Sequence, residues 1–221
     1  MRRSEGPLTV ETCLVAIACL VAVIGLSLAA LTAPVFTALL VPRVGSAALT
    51  GLGEEQTLAV AEKVRLFVTD PAAPALPLTV GDRSAFDAAA TSHLRDVRAV
   101  LVGARTAAGT AAAVVAVWLA AAFARRRRGR ARRALRAAAA LTAGTVAVAA
   151  LAGAADFERL FAALHGLFFA AGTWTFPADS LLIEVFPERF WVVLGAAWGA
   201  LALTGAALLW AVARLVPGDR G

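Results

Sequence analysis

Four long apolar runs constrain the fold of this chain more than any other feature of its sequence. They cover about residues 13–41, 106–124, 137–155 and 191–216. Because an α-helix needs about 20 apolar residues to cross about 30 Å of hydrocarbon, each run approaches or exceeds the length of a bilayer span. The mean hydropathy of +0.78 also lies far above that of a soluble domain. The sequence therefore predicts an all-α, multi-pass cell membrane protein with four transmembrane helices in a single membrane domain over residues 1–221.

The first apolar run is predicted to be an uncleaved anchor, because it is too long for the core of a signal peptide. Pro34 is expected to kink it near one end. Cys13 and Cys19 both lie in this run, six residues apart, so on a helix they point to different faces and do not pair. We interpret them as small core residues.

The orientation follows from the arginines. The loop 125–136 holds eight of them, namely Arg125, Arg126, Arg127, Arg128, Arg130, Arg132, Arg133 and Arg136. Arg2 and Arg3 precede the first run, while Arg214 and Arg220 lie at or beyond the end of the fourth. Because short cytoplasmic loops are enriched in Lys and Arg, we predict that this loop and both termini are cytoplasmic. The excursions 42–105 and 156–190 are then extracytoplasmic.

The basic loop is interpreted as a topology determinant that also contacts anionic lipid head groups. Nucleic-acid binding is the alternative for such a run of arginines. No aromatic residues are interleaved with the arginines, and the loop is only about twelve residues long between two membrane helices. We therefore predict no nucleic-acid partner.

The longer excursion, 42–105, contains seven basic and seven acidic residues and carries no net charge. Helical spacing of its apolar residues predicts a helix over about 53–67, and three prolines predict a loop over 70–77. Its amphipathic segments are too short to bury a core of their own. We expect the excursion to pack against the outer ends of the spans.

One of the chain's two histidines lies near the end of this excursion. The residues Ser84-Ala-Phe-Asp87 resemble a capping box, which predicts that a helix begins there and runs towards the second span. His93 falls on the apolar side of this helix. Asp96 follows three residues later and is predicted to reach the imidazole and fix its tautomer.

The second histidine, His165, lies in an excursion that mixes aromatic, acidic and turn residues. Residues 156–169 are predicted to form an amphipathic helix in the outer interface. Its lipid-facing stripe would be Phe157, Phe161, Leu164 and Phe168, and another flank would carry Glu158, Ala162, His165 and Phe169. An ionisable group at the edge of a membrane core indicates a functional site, although one structural hydrogen bond would also explain either histidine.

Several common kinds of site are excluded by their missing motifs. Spacings such as H-E-x-x-H and the elbow G-x-S-x-G do not occur, and neither does a phosphate-binding glycine loop. Both cysteines lie in the first span, which disfavours a thiol nucleophile. We predict neither a metal nor a cofactor.

Five segments together resemble a known family. They are SHLRDVR at 92–98, the stretch from 157 to 169 that ends in HGLFF, TWTF at 173–176, DSLLI at 179–183 and FPERFW at 186–191. With four spans and a long first excursion, the chain resembles the bacterial lipoprotein intramolecular transacylase (Lit) family of integral membrane proteins. The resemblance covers the whole chain in topology.

The resemblance implies an acyltransferase that works at the outer leaflet. The sn-2 acyl chain of a diacylglyceryl lipoprotein would move to the α-amino group of its own N-terminal cysteine, without a cofactor. The substrate would be the lipoprotein, surrounded by membrane lipids. The family's two histidines match His93 and His165, which are therefore predicted to be the catalytic pair.

Four further residues are predicted to support the site. Asp96 would orient His93, while Trp174, Phe176 and Asp179 would shape its outer mouth. Two other classes of function are alternatives to the enzyme. A non-catalytic scaffold that binds lipid or a partner protein would tolerate replacement of both histidines. A transporter should show inverted repeats or polar residues at mid-span, and the spans are almost wholly Ala, Val, Leu and Gly.

Overall fold

The computed structural model describes residues 9–216. Arg2, Arg3 and Arg220, which contribute to the predicted orientation, lie outside this part of the chain. The helices in chain order are α1 (Val10–Leu31), α2 (Pro34–Arg43), α3 (Ser46–Thr50), α4 (Glu54–Thr69), α5 (Ala88–Ala124), α6 (Arg128–Ala155), α7 (Phe157–Phe168), α8 (Leu181–Val185) and α9 (Glu188–Leu215). Two short strands, β1 (Thr79–Val80) and β2 (Arg83–Ser84), form an antiparallel hairpin between α4 and α5.

Four of these helices, α1, α5, α6 and α9, are long and apolar enough to cross a membrane. Much of their apolar surface is exposed: Val117 and Leu151 are each 71% exposed and Leu208 is 62% exposed. Such surface is costly in water and favourable in hydrocarbon. The predicted class, an all-α membrane protein with four spanning helices, is confirmed.

The first apolar run forms two helices. α1 ends at Leu31 and α2 begins at Pro34. Proline fixes φ and lacks an N–H group, so it suits the first turn of a helix but disrupts a helix interior. The chain therefore starts a new helix at Pro34, where the sequence predicted only a kink in one helix over 13–41.

α5 is a single helix of 37 residues, about 55 Å long at 1.5 Å per residue. Because the hydrocarbon core is about 30 Å thick, only part of α5 lies in it. The charged side chains Arg95, Asp96, Arg98 and Arg105 all lie in its N-terminal part, so the stretch 106–124 remains the part that is expected to span. His93 lies outside that span.

The start of α5 differs from the sequence prediction. The carboxylate of Asp87 accepts a hydrogen bond from the amide of Ala90 at 2.8 Å and begins the helix. Ser84, predicted to open a capping box, instead lies in β2 opposite Thr79. The capping-box prediction is wrong because the hairpin holds Ser84 in an extended conformation.

By compactness the chain divides into two units. The first comprises Met1–Ser27, Arg105–Ala149 and Gly199–Gly221. Its core in the described residues is built mainly from small side chains, including Cys19 and the fully buried Ala134, Ala138 and Ala213. Small residues let membrane helices approach closely. At Gly205, a Cβ would lie only 2.6 Å from Cγ1 of Val23, so the absence of a side chain lets the two helices pack.

The second unit comprises Leu28–Ala104 and Ala150–Trp198. Both excursions contribute to its core, which includes Val41, Ala61, Phe86, Val185 and Phe190. The longer excursion thus buries its apolar residues against α8 and the start of α9. It does not form a core of its own.

Polar contacts also join the two excursions within this unit. The buried hydroxyl of Ser46 donates to the carbonyl of Val185 at 2.9 Å. The guanidinium of Arg83 forms an ion pair with Glu184 at 2.8 Å and donates to the carbonyl of Thr50 at 2.6 Å. These contacts hold α3, the hairpin and α8 together.

Candidate active site

The N-terminal part of α5 positions His93. Ala90 and Leu94 are buried on the same side of the helix, and His93 itself is only 7% exposed. Arg98, one turn further on, donates from Nε to the carbonyl of Phe67 at 2.5 Å, and its guanidinium lies 4.3 Å from the centre of the Phe67 ring. These contacts fix α5 on α4 and turn His93 inward.

α7 positions His165. The carboxylate of Asp156 accepts from the amide of Arg159 at 2.9 Å and caps the N-terminus of the helix. Nδ1 of His165 lies 2.9 Å from the carbonyl oxygen of Phe161, one turn earlier. Because a carbonyl only accepts, we assign the proton to Nδ1. The neutral ring then carries its lone pair on Nε2.

The two histidine rings face each other. Their centroids lie 6.2 Å apart, and the ring planes are inclined by 29°. Phe169 contacts both rings, with its centroid 4.9 Å from that of His93 and 5.5 Å from that of His165. The sequence prediction that these two side chains meet agrees with this geometry.

Further aromatic rings flank the pair. His165 packs between Phe161, 4.0 Å away, and Trp174, 4.8 Å away, measured between ring centroids. Phe176 lies 5.6 Å from His93 by the same measure. Aromatic contacts on several sides restrict both imidazoles to one orientation.

Both histidines line a cavity of about 300 Å³ in the second unit. Its walls are mainly aliphatic and aromatic side chains from α1, α2, α4, α5, α7, α8 and α9 and the segments between them, with Arg65 and a few threonines as the other polar members. Cavities of this size and character bind small molecules in other proteins, with a few polar groups that orient the ligand.

Burial determines the electrostatics of the pair. Desolvation lowers the pKa of His93, a positive charge on His165 lowers it further, and the carboxylate of Asp96 opposes this with a smaller effect. Desolvation also lowers the pKa of His165, opposed by the hydrogen bond to the Phe161 carbonyl. Both rings are therefore neutral at neutral pH and available to accept a proton.

One ring atom of the pair has no protein partner. Among the described residues, nothing forms a hydrogen bond with the buried Nδ1 of His93. A buried polar atom without a partner is costly. The side chain lines the cavity, but this nitrogen has almost no accessible surface and is not open to a ligand there.

The chain that forms this site also matches a known protein family in sequence. The sequence profile of the family described as lipoprotein intramolecular transacylase Lit matches residues 12–191. The chain belongs to the Lit family. Family membership makes it an acyltransferase of the membrane, and the resemblance seen in the sequence is confirmed.

Solved structures of a Lit protein have the same fold. The membrane-integral lipoprotein intramolecular transacylase Lit from Bacillus cereus has a TM-score of 0.81 at 17% identity, with 93% of each chain covered. Variants of that protein with one histidine replaced by arginine or alanine each have a TM-score of 0.75 at 15% identity. For these variants 93% of this chain is covered, with 89% of the arginine variant and 91% of the alanine variant. No curated protein matches the chain in sequence.

Of the four other residues predicted for the site, two line the cavity and two lie outside it. Trp174 and Phe176 line the cavity beside the histidines. The side chain of Asp179 is exposed and lies outside the cavity, although its carbonyl accepts from Arg83 at 3.4 Å. Asp96 is also exposed, and the predicted hydrogen bond to His93 is not made, because His93 is turned inward on α5. Asp96 acts on the ring only through its charge.

Several cavity residues were not predicted from the sequence. Phe161 was assigned to the lipid-facing stripe of α7, but it packs against His165 inside the cavity. That assignment was wrong because residues four apart on a helix share a face. Arg65 of α4 was also missed; it lines the cavity and is held by Glu62 at 2.5 Å and by the carbonyl of Thr32 at 3.1 Å. The periodicity of α4 predicted its buried stripe but not which residues border a ligand.

Proposed function

We propose that this chain transfers the sn-2 acyl chain of a diacylglyceryl-cysteine lipoprotein to the α-amino group of the same cysteine, by histidine acid–base catalysis at the outer leaflet. The observation that carries the proposal is the pair of imidazoles, 6.2 Å apart in an apolar cavity. Membership of the Lit family supports the class of reaction.

The reaction needs two proton transfers, and the pair provides two suitable groups. An α-amino group has a pKa near 8, so much of it is a non-nucleophilic ammonium at neutral pH. Its nitrogen must lose protons as it attacks the ester carbonyl and the C–N bond forms. When the C–O bond breaks, the sn-2 oxygen takes up a proton. An N-acyl lyso-lipoprotein is then the product, and no other reactant is required.

We assign the base for the amine to His165. Its Nδ1 proton is held by the Phe161 carbonyl, which leaves the lone pair of Nε2 available. Its lowered pKa keeps the ring neutral, as a base requires. The ring is also fixed between Phe161 and Trp174, so the lone pair has one direction.

We assign to His93 the role of holding and protonating the sn-2 oxygen. Its side chain lines the cavity, and its ring lies 6.2 Å from that of His165, so both rings can act on the same substrate. A positive charge on His165 lowers the pKa of His93. His93 is therefore neutral, and it can donate its ring proton to the leaving oxygen only while it takes up, at its other nitrogen, the proton that His165 received from the amine.

The apolar walls suit the remainder of the substrate. Acyl chains match the aliphatic and aromatic lining. A site with little water favours attack by the amine over hydrolysis of the ester. Arg65 and the threonines are the polar side chains available for the peptide near the cysteine.

The proposal places both histidines outside the cytoplasm, and the arginines support this orientation. In a background without Cys13 and Cys19, we expect an impermeant thiol reagent added to intact cells to label Ala75→Cys but not Arg128→Cys. Both positions are exposed. Labelling of the second position alone would show the opposite orientation.

The decisive test is the conversion of a diacylglyceryl lipopeptide to its N-acyl lyso form by purified protein. His93→Ala and His165→Ala should each lower the rate by about 10²–10⁴-fold, the usual effect of general acid–base catalysis. The double variant should lose little more, because the two rings act as a unit. Phe168→Ala is a matched control, since Phe168 is on α7 but 60% exposed. Near-normal conversion by either histidine variant would refute the catalytic pair, whereas no conversion by the wild type would favour the scaffold.

A further inference from the structure

A second cavity lies in the first unit, at the arginine-rich loop between α5 and α6. It has a volume of about 50 Å³ and is lined by Glu11, Trp118, Arg125, Arg127 and Arg130, together with two alanines of α5. None of these residues belongs to the histidine site. The cavity is small, with room for a group of a few atoms.

Glu11 organises this cavity. Its carboxylate accepts from the indole Nε1 of Trp118 at 2.7 Å and from Nη1 of Arg130 at 3.0 Å. These two bonds join α1, α5 and α6 around one acidic group. They hold the lining residues in place without any ligand.

The cavity has an excess of positive charge. Three arginines against one glutamate leave a net charge of +2. Glu11 is paired with Arg130. The side chains of Arg125 and Arg127 are exposed and, within residues 9–216, form no hydrogen bond or salt bridge. Two guanidinium groups at the edge of the cavity are therefore available to an anion.

Exposed apolar side chains continue from the cavity along the same helices. Leu14, 62% exposed, lies about one turn from Glu11 on α1. Val114, 55% exposed, lies about one turn from Trp118 on α5. A molecule with its anionic group in the cavity would thus have apolar helix surface beside it for hydrocarbon chains. An anionic phospholipid has this combination of groups, and a free anion does not.

We propose that this cavity is a discrete binding site for the head-group phosphate of an anionic phospholipid. Arg125 and Arg127 hold the phosphate oxygens, because the planar guanidinium forms paired hydrogen bonds with phosphate. Trp118 lies beside the glycerol region, where indole rings are favoured at membrane interfaces. The site differs from the general attraction of basic loops to lipid, since it depends on which arginines are present and not only on how many.

The test uses the full chain in detergent with short-chain phosphatidylglycerol or phosphatidylcholine, and binding is measured by native mass spectrometry. The wild type should prefer phosphatidylglycerol. Arg125→Gln/Arg127→Gln should weaken its binding by at least about tenfold, given about 1 kcal/mol per basic residue near a lipid surface. Arg126→Gln/Arg128→Gln removes two charges from the same loop, but these side chains do not line the cavity, so for a discrete site the tenfold loss expected from the general attraction of two basic residues should not appear.

A charge-conserving variant keeps the test decisive if the glutamine variant does not fold. Arg125→Lys/Arg127→Lys retains both charges but loses the forked hydrogen bonds, so it should bind phosphatidylglycerol more weakly than the wild type. Equal losses of phosphatidylglycerol binding in the two glutamine variants would show that the loop attracts lipid diffusely and has no discrete site. Equal binding of the two lipids by the wild type would refute an anion site. Displacement of phosphatidylglycerol by an equal concentration of inorganic phosphate would overturn the lipid assignment.

Discussion

The coupling between the two histidines can be measured directly, because the chain contains only two. We predict that His165→Ala raises the pKa of His93. In the wild type, burial and a positive charge on His165 both lower it. Removing the neighbouring ring removes that charge, and the protonated form of His93 becomes less unfavourable.

The distance between the rings gives the size of the effect. Two unit charges 6.2 Å apart repel each other by about 3 kcal/mol at the effective dielectric constant of about 20 that suits protein sites, and by about 0.7 kcal/mol in bulk water. The cavity is mainly apolar and His93 is buried, so we expect a value nearer the first figure. His165 takes up its proton while His93 is still neutral, so His93→Ala should change the pKa of His165 much less.

The assay is an NMR titration of protein labelled at histidine, in micelles, from about pH 4 to pH 8. The wild type should give two titrations below the ordinary histidine range, and His165→Ala should give one titration at higher pH than that of His93 in the wild type. Phe168→Ala controls for disturbance of α7. If His93 titrated at the same pH in the wild type and in His165→Ala, the rings would not be coupled and the shared proton-transfer role would fail.

The lowered pKa of His165 also predicts how the rate of conversion depends on pH. Because a lowered pKa keeps the base neutral in more acidic solution, catalysis by His165 should persist below pH 6.5 and disappear only as the pH falls through the lowered pKa. A pH–rate profile measures this. Asp96→Asn should lower the pKa of His93 slightly and leave conversion at pH 7.5 within about threefold of the wild type, because the exposed carboxylate acts only through its charge; a large loss would assign it a direct role. Trp174→Ala should lower the rate with little change in thermal stability, because the indole is partly exposed and packs on the catalytic ring; an unchanged rate would remove it from the site. Gly205→Ala should reduce thermal stability, because the added methyl meets a stiff valine side chain and overpacking costs about 1–3 kcal/mol. Gly109→Ala meets nothing within 4 Å and should be neutral or stabilising.

The features predicted correctly from the sequence are those encoded by near neighbours along the chain. Apolar length determined the four spans, because crossing hydrocarbon requires a fixed number of residues. The apolar stripe of α4 followed from a period of 3.6 residues, and α7 begins after a capping Asp156 where the amphipathic pattern begins. The two histidines could be chosen as candidates for the same reason: each lies in a local pattern that places an ionisable side chain beside apolar residues.

Tertiary structure decided which faces meet. His93 and His165 are 72 residues apart, and only the packing of α5 and α7 in one unit brings their rings to 6.2 Å. The same packing turns Phe161 towards the cavity and leaves Asp96 outside it. The spacing of apolar residues shows that a helix has an apolar face. It does not show whether that face contacts lipid or lines a protein cavity, because both environments are apolar.

Polar contacts between distant segments were also beyond the sequence. The ion pair between Arg83 and Glu184 joins the two excursions, and any of several arginines and acids would have satisfied the charge balance seen in the sequence. Asp87 caps α5 in place of the predicted Ser84, because Ser84 is part of the β1–β2 hairpin. Local sequence patterns determine which secondary structure each segment prefers. Which distant side chains then pair with each other depends on the free energy of packing the whole unit.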